Sequence, residues 1–523
     1  MASEDILESH DIQGNIIPGF KMPCQYLIAG KIQDKQKFCA WLKQHYTSVT
    51  TMDKVSEYHA ERVSKAKRLG IFGKESFRLP AQKDLFWLNI GFSAVFMNQF
   101  SAEPGQIDDS FRIGLAKRSS TLGDPTDPAS EGNPVNWIFG GTGKEADFLL
   151  IAASDNATAL SVGIAKVKTG LINAGVVILY GEQAERLEED TEHFGFKDGL
   201  SQPEPRGFLK DGTTYLTRRK IKSGNEDPAS PELAAPGEVL VWPGQFIYGY
   251  QKQHDADFRK PLAASADEKN AWVKNGSMLV FRRLKQDVSA FYQASRNQYN
   301  ALIGNPAFNN WSFEDFLSKF VGRKKDGTPL IFDGQAVTGI DLNHFFYQTD
   351  TPAMQLMDGS GVPGVKGDLS NTKCPVFAHV RKVNPRDRPT DQGGPTDTLT
   401  FRIMRRGIPF GPPYNYNNPE SPVNQKERGL LFLSYQTSIQ RQFELLASKW
   451  MNSDSRPENM NEAFDLLVGQ NADPGQNRER TANMPSADPA VTCPVTYLND
   501  FITPTGGGYF FIPSISVLKK MTQ

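Results

Sequence analysis

Apolar residues along the chain fall into short runs that read as strands, several of them passing straight into helical periodicity. "DLFWLNIGFSAVFM" (Asp84 to Met97), "DFLLIAAS" (Asp147 to Ser154) and "AGVVILYGEQ" (Ala174 to Gln183) are the candidates in the first half. The spacing predicts that the last of these runs into an acidic helix, "AERLEED". In the second half, "GEVLVWPGQFIYGY" (Gly237 to Tyr250) reads as a strand. "GSMLVFRRLKQDVSAFYQA" (Gly276 to Ala294) switches from strand to helix after Arg283, and "RGLLFLSYQ" (Arg428 to Gln436) precedes the helical run "TSIQRQFELLASKW". Strands and helices interleave in both halves, a layout that suits a duplicated α+β unit.

The polar, Pro-rich stretch from Arg219 to Glu238 marks the expected boundary, giving halves 1–225 and 226–523. Long polar loops are expected at Glu103 to Pro134, Thr351 to Lys373 and Gln470 to Thr492, as lids or decoration.

Composition narrows the class. The 523 residues are 39% hydrophobic and 11% aromatic with 34 Phe, enough for a large aromatic core and against disorder over most of the chain. A net charge of −1 supplies no field to recruit nucleic acid or an anionic membrane, so a small-molecule partner is expected. Cys24, Cys39, Cys374 and Cys493 form no close pair, which argues against a zinc ribbon, an iron–sulfur cluster or a disulfide scaffold. No apolar run is long enough to span a bilayer and the first residues lack a secretory h-region. A cytoplasmic location is expected, with export by a non-classical route as the alternative.

Three segments carry candidate chemistry. "EHFGFKDGLSQPEP" (Glu192 to Pro205) sets Asp198 near two glycines that permit a tight turn, so this carboxylate is either an ordinary turn residue or one brought against another surface. "CPVFAHVRKVNPRDRP" (Cys374 to Pro389) places His379 among Arg381, Lys382, Arg386 and Arg388. A neutral imidazole beside cations suits a metal macrocycle with anionic arms, because imidazole takes the metal and arginines grip carboxylates. "TFRIMRRGIPFGPP" (Thr400 to Pro413) ends a strand in Arg405 and Arg406, and Leu430 and Phe432 of the next strand share one face. His193 reads as structural, since no H-x-x-x-H or Cys-rich set supports a zinc site.

Taken in order, "GFKDG", "CPVFAHVRKVNPRD", "IMRRGIPFG" and "ERGLLFLSYQ" resemble the dye-decolorizing peroxidases, in particular the larger subgroup with long insertions. "DIQGNIIPGF" (Asp11 to Phe20), "PGQFIYGY" and "GGGYFFIPSIS" (Gly506 to Ser516) extend the resemblance over nearly the whole chain. It implies an α+β fold of two ferredoxin-like units, antiparallel sheets with peripheral helices, binding haem b (iron protoporphyrin IX) mainly in the second half.

By the same resemblance His379 is the axial haem ligand and Arg386 binds a propionate. Asp198 is the distal acid–base, followed against the cofactor by Gly199, Leu200 and Ser201. Arg405 is the distal cation, and Leu430 and Phe432 line the pocket. Asp465 in "AFDLLVGQ" is preferred over Glu444 in "RQFELL" as the carboxylate behind the histidine, Glu444 being expected to face solvent. The implied activity is reduction of hydrogen peroxide through a ferryl intermediate, with dyes, phenols or other aromatics as electron donors and an acidic optimum. Neither nucleic acid nor membrane is a partner, and monomer or homo-oligomer stays open. Trp450 and Tyr414 are candidates for a surface electron route to bulky donors. The alternative is a haem carrier or iron-release protein, which would keep His379 and Arg386 but not need Asp198 with Arg405.

Overall fold

The computed structural model describes residues 3–68, 84–222, 233–254, 257, 259–332, 342–458, 463–471 and 478–523. The boundary expected between residues 225 and 226 lies outside them. The first half supplies β1 (Cys24–Ile32), β2 (Trp87–Phe92), β3 (Phe148–Ser154) and β4 (Val176–Glu185), hydrogen-bonded in the order β4-β1-β3-β2. The second supplies β5 (Ser277–Gln286), β6 (Ile408–Phe410), β7 (Gly429–Gln436) and β8 (Ile502–Ile512), in the order β6-β7-β5-β8. Numbered within each half, both sheets read 4-1-3-2 from one edge, so the duplication is visible in the pairing itself.

The two sheets join edge to edge and close on themselves. Phe410 of β6 pairs with Ala184 of β4, Phe511 of β8 with Phe92 of β2, and β7 runs antiparallel beside β5 along its full length. A short strand, Met404–Arg405, branches from β7. Closure leaves few free sheet edges, and the interior must be filled. Alternation decides by what: Leu27, Ala29, Leu279, Phe281, Leu431 and Leu433 point inward, where Ile12, Ile16, Ile17 and Phe20 of the N-terminal segment plug the barrel. Each such aliphatic side chain, fully buried, is worth about 1.5–3 kcal/mol. Gln13 ties the plug to the barrel, donating to Ile90 O of β2 at 2.9 Å and to Pro513 O, just past β8, at 2.8 Å.

The outer faces carry helices. Lys35–His45 and Ala157–Asn173 cover the first sheet. The latter is capped by Asn156, which accepts from Ala159 N at 2.7 Å, and buries Leu160, Ile164, Val167 and Leu171 at helical spacing. Val288–Leu302 and the π-helix Ile439–Met451 belong to the second half.

Four expectations of local structure need correction. The strand expected over Gly237 to Tyr250 is a strand only at Glu238–Val241, before the 3₁₀ turn Pro243–Gln245, and the loop expected from Gln470 to Thr492 holds a strand, Arg480–Pro485, paired with Thr492–Tyr497. "AERLEED" is not a helix: β4 continues to Glu185 because its register with β1 holds Ala184 and Glu185 against Gln25 and Cys24, and only Glu188–Asp190 form a single 3₁₀ turn. The stretch after Glu103 is a chain of short helices as far as Leu122 rather than a loop, with Ser110, Phe111 and Leu115 buried. No described helix is long and apolar enough to cross a membrane, and all four cysteines are free thiols.

Candidate active site

Asp198 stands at the end of a loop that is tied at several points. Its N–H donates to Asp190 O at 2.9 Å, Glu192 N to Phe196 O at 2.9 Å, and Gly195 (φ 90°) and Gly199 (φ 67°) take backbone conformations that L side chains rarely adopt. Around Gly199 a Cβ would meet no atom of the chain, so its left-handed backbone, not a close approach within the protein, calls for glycine there. The Asp198 carboxylate is partly exposed, its Oδ1 3.5 Å from Arg405 NH1.

Strand alternation determines which arginine of the pair reaches it. Arg406 turns inward against the plug, donating to Asn15 O at 3.1 Å and Ile16 O at 3.0 Å, where Gly19 leaves room for its side chain. Arg405 turns outward and donates from NH2 to Ser201 O at 2.7 Å. Gln202 locks the two segments together, accepting from Arg405 N at 3.2 Å and donating to Arg405 O at 3.3 Å.

His379 opens the short helix His379–Val383, and its Nδ1 lies 2.6 Å from Asp465 Oδ2. Burial would raise the Asp465 carboxyl, but the His379 ring and the N–H groups of Val468 and Leu467 together hold it below the usual carboxylate range. The carboxylate is therefore the acceptor and Nδ1 carries the proton, which leaves Nε2 as the ring's lone-pair nitrogen. Glu444 does not face solvent. It is buried among Ser110, Arg118 and Tyr509, all three donating to it, far too well satisfied to serve the histidine.

Of the cations near His379, only Arg386 faces the same space. Arg381 and Arg388 both pair with Glu458 at 2.7 Å, and Lys382 donates to main-chain carbonyls, so these three are structural. Arg386 donates from NH1 to Asn343 O at 2.9 Å and Phe345 O at 3.1 Å and lies over the Phe345 ring. Two arginines that sequence reasoning missed join it. Arg323 reaches Gly327 O and Leu342 O, and Arg402 lies three residues before Arg405. Burial, with neighbouring Arg386, pushes both Arg323 and Arg402 down to about 9. Among the described residues none of the three forms an ion pair with a carboxylate.

Asp198, Gly199, Leu200, Ser201, Arg405, His379, Arg386, Leu430 and Phe432 all line one cavity of about 340 Å³, with Asp465 behind the histidine. Arg323, Arg402, Glu192 and Trp450 line it too. Only the R-x-x-R spacing of "FRIMRR" hinted at Arg402, and nothing local marked Arg323. Trp450 is not a surface residue: it is 1% exposed, and its Nε1 donates to Asp391 Oδ1 at 3.0 Å. His193 is structural as expected, bonded to Phe410 O at 2.8 Å and pushed down to about 4 by burial. No three described His, Cys, Asp or Glu residues converge as a metal cluster would require.

A closed α+β barrel bearing a histidine–carboxylate couple and uncompensated arginines in one cavity defines a class of barrel peroxidases. Residues 11–186 match the model of the DyP dimeric α+β barrel domain, and residues 246–470 that of the Dyp-type peroxidase C-terminal domain. The chain belongs to the dye-decolorizing peroxidase family and is a DyP-type peroxidase.

It is 27% identical to the dye-decolorizing peroxidase msp1 of Mycetinis scorodonius over 98% of this chain and 87% of that protein. It is likewise 27% identical to the multifunctional dye peroxidase DyP2 of an Amycolatopsis species, over 79% of this chain and 78% of the other. A solved ancestral D-type dye-decolorizing peroxidase superposes with a TM-score of 0.72 at 27% identity, covering 99% of both chains. The Auricularia auricula-judae enzyme shares the fold at 0.70 and 22% identity, covering 99% of this chain and all of the other.

Family membership implies a haem cofactor, and the residues fit one. Arg323 is buried and Arg386 and Arg402 are partly buried, all three without countercharge among the described residues, a costly arrangement that a ligand with two carboxylates would relieve. The free Nε2 of His379 supplies a metal ligand whose partner nitrogen is already oriented.

Proposed function

We propose that the protein binds haem b, which His379 would hold through its iron and Arg386, Arg402 and Arg323 through its propionates, and that it reduces hydrogen peroxide at the expense of dyes, phenols or other aromatic donors. The haem, when bound, supplies the iron redox chemistry. The observation that carries this reading is that Asp198 and Arg405, 3.5 Å apart, share one cavity with the His379–Asp465 couple. A carrier needs the couple but has no use for the acid–cation pair.

Asp198 accepts a proton from one oxygen of hydrogen peroxide and returns it to the other, which leaves as water. Arg405, anchored on Ser201 O, stays charged throughout and stabilises the negative charge that develops as the O–O bond lengthens. Leu430 and Phe432 keep that region dry, which strengthens both effects. Carboxyl side chains ordinarily titrate near ~3.9 against ~6.5 for imidazole, so a carboxylate in this role suits an acidic working range.

The test is spectroscopic. Purified protein loaded with haem should show a Soret band that shifts on adding hydrogen peroxide and returns when a phenol or dye is added. A band that ignores peroxide would leave only the carrier, and no band after loading would remove both readings.

A further inference from the structure

Glu192 is used nowhere in the chemistry above, yet it is a carboxylate in the cavity wall six residues before Asp198. Its side chain folds back into its own loop. Phe194 N donates to Oε2 at 2.7 Å and Phe196 N to Oε1 at 3.0 Å, while Gln286 Nε2 of β5 donates to Oε2 at 2.7 Å. The main chain reinforces the closure through Glu192 N to Phe196 O at 2.9 Å, Gly195 N to Glu192 O at 2.9 Å and the bridge of Thr191 with Lys197. One side chain thus satisfies two amides of a six-residue turn and ties that turn to a rigid barrel strand. The rings of Phe194 and Phe196, buried on either side of Gly195, fix its outer face.

We propose that Glu192 is a positioning residue for the reaction: it clamps the loop whose end is Asp198 and sets where that carboxylate stands relative to Arg405. The partly exposed Asp198 side chain has, among the described residues, only the N–H of Gly199 and the 3.5 Å approach of Arg405 to hold it. A proton-transfer group must be held within hydrogen-bond reach of its substrate, and small misplacements cost large factors in rate. Burial lifts the Glu192 carboxyl to about 7 despite the N–H groups of Phe194, Phe196 and Gln286, with the Asp198 charge adding to the rise.

This inference rests on the peroxidase reading for its catalytic consequence, but the clamp itself is measurable without haem. Hydrogen exchange in the haem-free protein should show the Phe194 and Phe196 amides protected. Glu192→Ala should speed their exchange at least tenfold, and Glu192→Gln, which keeps one acceptor, should give an intermediate value. Unchanged exchange in Glu192→Ala would overturn the clamp. With haem bound, Glu192→Ala should slow the peroxide-driven Soret change and the on-rate of hydrogen cyanide, which must also give up a proton on binding, each by tenfold or more. Glu192→Gln should recover part of both at unchanged haem content.

In an Asp198→Asn background, Glu192→Ala should change neither rate by more than twofold, because its effect passes through Asp198. An equal loss in both backgrounds would make Glu192 merely structural and sink the proposal. Protected amides in a protein that takes up no haem would instead refute the peroxidase reading and leave the clamp standing.

Discussion

His379 Nδ1 lies 2.6 Å from Asp465 Oδ2, joining residues 86 positions apart through a carboxylate with no exposed surface. The carboxylate is further fixed by the N–H groups of Leu467 and Val468, both at 3.0 Å from Oδ1. The ring orientation and tautomer of His379 are therefore settled beforehand, as the proposed haem ligation requires.

Replacing Asp465 with Asn should keep the ring in place but weaken its basicity and its preference for one tautomer. Haem affinity, measured by Soret titration, is expected to fall about 10–100-fold. His379→Ala should abolish axial ligation and most haem occupancy. Full occupancy with an unchanged spectrum would exclude His379 as the ligand.

Arg405→Leu should bind haem normally and slow the peroxide-driven spectral change by about 100–1000-fold, the cost of one lost charge-stabilising donor. Asp198→Asn, nearly the same size, should slow the same step severely across the acidic range. If either variant reacts at the wild-type rate in stopped-flow mixing, that residue does not act in the step.

The arginine cluster makes a different prediction, on binding rather than rate. Arg402→Ala and Arg386→Ala should each raise the dissociation constant for haem while stabilising the haem-free protein or leaving it unchanged, because each removes a partly buried cation without a carboxylate partner. Melting temperatures with and without haem would show the opposite signs. Destabilisation of both forms would mean that these arginines are ordinary structural residues.

The contribution of Glu192 to folding stability should fall as pH rises from about 4.5 to about 7, while His193, pushed down to about 4 by burial, acts in the opposite sense. Burial raises Glu192 from 4.5 to about 7 and also raises Glu204, whose neighbour Glu238 adds to the effect. An acid whose folded value is raised stabilises the fold fully below its unfolded value and loses that contribution as pH climbs through the folded one, here between about 4.5 and 7. In thermal melts of the haem-free protein, the melting temperature of wild type relative to Glu192→Gln should decline over this interval. A melting temperature that rises over the same interval in wild type but not in Glu192→Gln would reverse the assignment.

The sequence by itself determined the local pieces. Apolar runs marked β2, β3, β4, β5 and β7, a helix was expected after the run at β5 although the strand continues past Arg283 to Gln286 before Val288–Leu302 begins, and "GFKDG", His379, Arg386 and Arg405 marked residues that line one cavity. These are legible because side-chain alternation and glycine's conformational range act over a few residues.

What only the tertiary structure decided depends on contacts between distant segments. Closure of two sheets into one ring rests on pairs such as Phe410 with Ala184, which no periodicity encodes. Glu444 and Asp465 look alike in sequence, yet one is consumed by Ser110, Arg118 and Tyr509 and the other is left for His379. Arg323 and Arg402 join Arg386 only because a helix end, a loop and the approach to Met404–Arg405 converge on one cavity. Trp450 looks like a surface aromatic until the π-helix turns it onto Phe401 and Asp391. Burial and charge compensation belong to the packed whole, so a side chain's role follows from the company the fold gives it.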